Sequence, residues 1–174
     1  MSPIIECVPN FSEGKDLLAL ERIAAAIRAQ SGVQLLHTDI GAAAHRTVMT
    51  FAGAHEAVVE AAFQAIMVAS EVIDMRFHKG EHPRIGATDV CPLVPVQGIS
   101  LSALVPSALQ LAKRVGEELQ IPVYLYEMAA SKPERKRLAD IRKGEYEQLA
   151  QKINHPAWIP DFGPKFLTPV LERQ

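Results

Sequence analysis

"GVQLLHTDIGAAAHRTVMTFAG", residues 32–53, reads as two strands laid back to back. "GVQLLHTDI" (32–40) is a largely apolar strand, and "RTVMTFAG" (46–53) is rich in β-branched residues; "GAAAH" (41–45) connects them. A helix is predicted on either side of this pair. Upstream, Leu17, Leu20, Ile23, Ala24 and Ile27 recur with a helical period, and Asp16 is placed to cap their N-terminus. Downstream, the Ala-rich stretch 54–72 is the second helix. "PIIECV" (3–8) precedes the first helix as a buried strand. "VCPLVPVQG" (90–98) follows the second as another strand, with Pro92 and Pro95 pointing to an edge or a bulge. The order is βαββαβ. Beyond it, a helix starting at Ser100 or Ser102 and ending near Leu119, a strand at "IPVYLYE" (121–127), and a charged helix over 133–143 are predicted. Gly144 interrupts, "EYEQLAQKI" (145–153) gives another helical turn or two, and the Pro-rich stretch from 154 is irregular. The predicted fold is α/β (α+β): a mixed sheet with helices packed on one face. The other face must meet water, a partner or a second domain.

The chain has 174 residues, 48% of them apolar and 22% charged, enough for one domain with a real core. A net charge of -2 argues against a nucleic-acid groove. Cys7 and Cys91 sit in apolar, strand-like contexts and read as free buried thiols. No signal peptide and no membrane-length apolar run are visible, so a cytoplasmic protein with no membrane partner is the expectation.

"HKGEHPRIGATDV" (78–90) concentrates ionisable side chains between apolar flanks. Pro83 biases His82 toward an extended backbone, which can present an imidazole at a fixed angle for acid–base work. Glu81 and Asp89 are candidates to orient it, and Lys79 and Arg84 to bind a substrate carboxylate. On residue types alone, a solvated charged loop is the favoured reading of the segment. His78 and His82 have the spacing of a metal pair on a helix, but Gly80 and Pro83 break a helix there. No third ligand is fixed by spacing among His37, His45 and Asp39, so no metal is expected. "SEG" (12–14) is either an anion-binding turn or a plain lead-in to a helix. His45-Arg46 opens a strand and points into a site or caps its end. Asp39 lies toward a strand's C-terminal end, where ligands of α/β sheets often sit.

Six strings in order resemble glutamate formimidoyltransferase, the transferase part of formimidoyltransferase-cyclodeaminase. They are "ECVPNFSEG" (6–14), "RTVMTF" (46–51), "IDM" with "HKGEHPRIGATDVCPLVPV" (73–96), "PVYLYE" (122–127), "IRKGEYEQL" (141–149) and "WIPDFGP" (158–164). The resemblance implies formimino transfer between N-formimino-L-glutamate and tetrahydrofolate in histidine degradation, with tetrahydrofolate as co-substrate. It puts the catalytic histidine on His82 and a folate-binding stretch on Asp161, Phe162, Gly163 and Pro164. Asp39 is then the candidate counter-charge for the amidinium, and Arg46, Lys79 and Arg84 the candidate carboxylate ligands. The resemblance also implies that residues 1–164 are an N-terminal subdomain whose bare sheet face packs on a second subdomain of similar size. The tail 165–174 departs from it, and a second half is expected from a separate chain or a homo-oligomer. A common "N-R-T-V" string reads His45-Arg46-Thr47-Val48 here. The alternative reading is a non-catalytic folate-binding or protein-interaction module that keeps the fold.

Overall fold

The computed structural model describes residues 2–166. At its centre, β3 (Val33–Gly41) and β4 (Arg46–Ala54) pair antiparallel, as the opening stretch predicts. On β4's other side run β1 (Ile4–Cys7) and β2 (Asn10–Phe11). These two keep one register against β4, from Ile4 opposite Ala54 to Phe11 opposite Thr47, so they are a single strand broken at Val8-Pro9. β5 (Thr88–Val90) and β6 (Leu93–Gln97) form the outer edge in the same way, broken at Cys91-Pro92. The two breaks lie side by side, joined by Val8 N–H donating to Pro92 O at 3.3 Å. β3 carries its own register shift between Leu35 and His37 at this level, leaving β4 alone continuous across it.

The α/β class with helices on one face holds. Where a mixed sheet is expected, each pairing between the described strands is antiparallel. β1 and β3 do point the same way, with β4 between them, which is the split βαβ arrangement.

Alternation along β4 sends Thr47, Met49 and Phe51 into the core and Arg46, Val48 and Thr50 to the opposite face. Against the inner face pack α1 (Leu17–Arg28) and α2 (His55–Val72). α1 buries Leu20, Ile23, Ala24 and Ile27 of the periodic set, while Leu17 at its start is exposed. Asp16 caps it as predicted, accepting from Leu18 N (2.9 Å) and Ala19 N (3.0 Å). Such a cap is worth ~1 kcal/mol. Among the described residues no helix covers the opposite face, and Val94 and Val96 of β6 and Leu36 of β3 are exposed.

α3 (Leu101–Glu118) starts at Ser100, whose hydroxyl accepts from Ala103 N. Past it the expectations need correction. "IPVYLYE" forms only an isolated bridge, Val123 to Phe162. Its alternate N–H groups are taken elsewhere: Val123 by Phe162 O, Leu125 by the Asp161 carboxylate and Glu127 by Lys136 O. A parallel strand here would have made the sheet mixed. Instead an apolar cavity of about 420 Å³ separates the segment from β5 and β6, walled also by Ile66, Leu104, Leu111 and Ile141. The helix expected over 133–143 is a single 3₁₀ turn, Pro133–Arg135, followed by α4 (Leu138–Arg142). Arg135 causes the break. It is 0% exposed, lies 2.8 Å from the Asp161 carboxylate and donates to Ala157 O and Ile159 O. Positive φ at Gly144 and Glu145 ends the next turn, and α5 (Leu149–Lys152) follows. Residues 167–174 of the tail lie outside the described residues. Among the described residues no helix is long and apolar enough to cross a membrane.

Candidate active site

The β3–β4 turn and the loop after α2 meet at one end of the open face. Gly80 is what lets them touch: a Cβ there would stand 2.5 Å from Ala44 O and 2.8 Å from the His45 Cβ. His82 then reaches the start of β4. Its Nδ1–H donates to Pro83 O at 2.8 Å, and an Arg46 N–H donates to its Nε2. Those two contacts select one neutral tautomer, with the proton on Nδ1 and the lone pair on Nε2. The ring orientation of His82 is fixed by these two contacts.

A second layer holds the loop in place. The His78 ring stacks on His45 with centroids 4.3 Å apart. His78 Nε2–H donates to His45 O (2.9 Å), and its Nδ1 accepts from Arg84 Nε (3.1 Å). Burial pushes this imidazole below its ordinary value, outweighing the hydrogen bond to His45 O. Both nitrogens are thus occupied, so His78 offers no lone pair to a metal. Among the described residues no group of three or more His, Cys, Asp or Glu is arranged to hold one.

Arg84 is 5% exposed and is spent on the loop itself. Its guanidinium donates to Glu145 (2.7 Å), to Glu147 (2.9 and 2.6 Å) and to His78 O (3.3 Å). Asp89 lines the same small pocket as His82, but its two oxygens are engaged elsewhere. One oxygen accepts from Ile85 N at 3.0 Å, and the other pairs with Arg142 of α4. Glu81 is exposed.

"SEG" proves to be a self-filled turn. Glu13 Oε1 accepts from the amides of Gly14 (2.8 Å), Lys15 (2.7 Å) and Asp16 (3.0 Å), the donors an external anion would need. Burial tends to raise this carboxyl, but the three amides and the nearby His45 outweigh it and hold it below the ordinary value. The same oxygen lies 3.1 Å from His45 Nε2.

Asp39 sits opposite Val48 in the ladder, on the face to which Arg46 also projects, and is exposed. Lys79 is exposed beside the turn, its carbonyl facing His45 Nδ1 at 2.7 Å. Arg46 and Asp39 thus project from the open face and His82 reaches Arg46, while Lys79 and Arg84 belong to the loop beside the turn. Asp161, Phe162, Gly163 and Pro164 lie apart, docked on 121–125 and on α3. Gly163 has φ 84°, and a Cβ there would come within 2.2 Å of Ile121 O. Asp161 is engaged by Leu125 N, Ser131 and Arg135. Sequence reasoning missed Glu13 and left His45 undecided. The available signal was a carboxylate followed by a glycine just ahead of a helix start, the pattern of a self-capping turn.

Comparison with known proteins gives a concordant picture. The family model "Formiminotransferase domain, N-terminal subdomain" matches residues 4–171. The chain is 50% identical over 169 residues to formimidoyltransferase-cyclodeaminase of Rattus norvegicus, covering 97% of this chain and 31% of that protein. It is 44% identical to glutamate formimidoyltransferase of Streptococcus pyogenes serotype M1, over 97% of this chain and 56% of that protein. It is 48% identical to glutamate formimidoyltransferase of Thermoplasma acidophilum, over 92% and 54% respectively. The chain therefore spans about a third to a half of the length of these relatives.

Proposed function

The chain belongs to the formiminotransferase N-terminal subdomain family, and on that premise we propose that it is the catalytic-histidine half of a formimidoyltransferase. It moves the formimino group between N-formimino-L-glutamate and tetrahydrofolate, acting together with a second half seated on its open sheet face. The observation that carries this reading is His82: a neutral imidazole of fixed tautomer, presented beside Arg46 at the edge of that face.

The chemistry follows from the tautomer. The folate amine attacks the amidinium carbon and gives a tetrahedral adduct. The amine's proton goes to the Nε2 lone pair of His82. The same proton is delivered to the glutamate nitrogen as its bond to carbon breaks. An imidazole in this double role is worth roughly 10²–10⁴-fold in rate. In the substrate-free chain Arg46 occupies Nε2. A substrate carboxylate competes for that guanidinium, so binding formiminoglutamate draws Arg46 away and exposes the base. Lys79 serves as a second carboxylate contact, and Asp39 as the counter-charge to the amidinium. Arg84, already saturated by Glu145 and Glu147, acts by fixing the loop. On the folate side Asp161, Phe162, Gly163 and Pro164 contribute a fixed backbone and one ring, because the Asp161 carboxylate is engaged internally.

The test is reconstitution with a C-terminal half, followed by formimino transfer in both directions. We expect turnover that drops about 10²–10⁴-fold in His82→Ala. Undiminished transfer in that variant refutes the reading. Tetrahydrofolate binding without any turnover, in a competent assembly, would favour the non-catalytic alternative.

A further inference from the structure

The ring of His45 faces two acceptors. Nδ1 is 2.7 Å from Lys79 O, and Nε2 is 3.1 Å from the Glu13 carboxylate. A neutral imidazole has one N–H and one lone pair. It satisfies one of these partners and turns a lone pair toward the other. Only the imidazolium donates to both. Its neighbour shows the opposite pattern: His78 accepts at Nδ1 and donates at Nε2, as a neutral ring does.

Building on the transferase reading, we propose that His45 is a positioning residue, held as an imidazolium, whose two hydrogen bonds clamp the His82 loop to the β3–β4 turn. Its place in the fold fits the task. The Glu13 bond ties it to the lead-in of α1, and the Lys79 bond to the loop. The stacking on His78 fixes the ring plane, and the next residue is Arg46, the partner of His82. Its backbone lies in the left-handed region at φ 48°, which the surrounding contacts enforce. The ionisable groups around the ring are Glu13, His78, Lys79 and Arg46, with Arg84 one step behind His78.

A ring with only one proton leaves one of the two acceptors facing a lone pair, which weakens the clamp that keeps His82 and Arg46 in register. Site geometry is therefore set from both sides, because His78 must stay neutral while His45 stays charged.

Two readouts test the proposal. In the chain alone, labelled with ¹⁵N-histidine, ring spectra near neutral pH should show both His45 nitrogens protonated and only one protonated in His78. Glu13→Gln should convert His45 to a single-proton pattern. A His45 ring with one bare nitrogen in the unmodified chain overturns the proposal, whatever the chain's activity. In the reconstituted assembly, His45→Ala should lower kcat about 10–100-fold through misplacement of His82. Asn tolerates the left-handed backbone and carries two N–H donors without titrating. His45→Asn should recover part of the lost rate. A kcat in His45→Asn no higher than in His45→Ala overturns the positioning role. If no assembly turns over, the transferase reading fails while the ring spectra still decide the state of His45.

Discussion

Arg84 has five N–H donors, and each has an acceptor: His78 Nδ1, His78 O, Glu145, and Glu147 twice. Lysine cannot reproduce that fork. We expect Arg84→Lys to lower unfolding free energy by about 1–3 kcal/mol in a denaturant titration, discounted because the two carboxylates are partly in water. Its effect on transfer should come through kcat, since the loop shifts. Arg46→Ala should behave differently. It removes a carboxylate contact while freeing Nε2, so KM for formiminoglutamate should rise more than kcat falls. Equal losses in both would count against the displacement step. Of these residues, His82 was singled out by the family resemblance, because a histidine followed by proline among charges reads on its own as a solvated loop. The role of Arg84 was not legible, because its partners lie some sixty residues away in sequence, and a lone arginine in a loop looks the same whether it faces substrate or neighbour.

The 73–87 loop behaves as an element in its own right, closed by Gly80 against Ala44 and by Asp89 against Ile85 N. Gly80→Ala puts a methyl into a backbone carbonyl, a strain of about 1–3 kcal/mol. Hydrogen exchange should quicken in both the loop and the 41–46 turn, leaving α1 and α2 unaffected. The loop is also the acid-sensitive element. His78 is held below its ordinary 6.5 by burial. Glu147 is held below 4.5 chiefly by its hydrogen bond from Arg84, and Glu13 below 4.5 by its amides against the pull of burial. All three are depressed in the folded chain, so each contributes stability in full above its unfolded value and loses it on acidification. The melting temperature should start to fall as pH drops below about 6.5 through His78, and fall again below 4.5 through the carboxylates. A melting temperature flat from pH 7 to 5 would contradict the first step. The βαββαβ elements were readable because hydrophobic period alone defines them. Residues 121–127 have strand composition too, but a ladder needs a neighbour in register. Here Phe162, Asp161 and Lys136 claim the N–H groups first, and no pattern within the segment announces that competition.

At the scale of the molecule, the cavity beside β5 and β6 is a reservoir of unused packing. Ala108 of α3 lines it, and Ala108→Leu should raise the melting temperature by about 2–4 °C, roughly 1 kcal/mol for a chain of this size. A lowered melting temperature would mean that the space closes in solution. The open face is the other unfinished surface, and a second half seated there should bury Val94, Val96 and Leu36. Sedimentation should register that association, and Val94→Glu should weaken it. The aligned breaks in the sheet bear on how such a partner is felt. Val8-Pro9, Cys91-Pro92 and the shift after Leu35 draw a crease across three strands, and among the described strands β4 alone runs unbroken through it, near Met49 and Thr50. One panel holds Asp39 and the start of β4; the other holds Glu6 and Val94. Within the sheet the two panels share β4 as their unbroken strand, and α2 packs across both, against β1, β4 and β5. A partner seated on the broad apolar end is therefore felt at the histidine end through that strand and that helix.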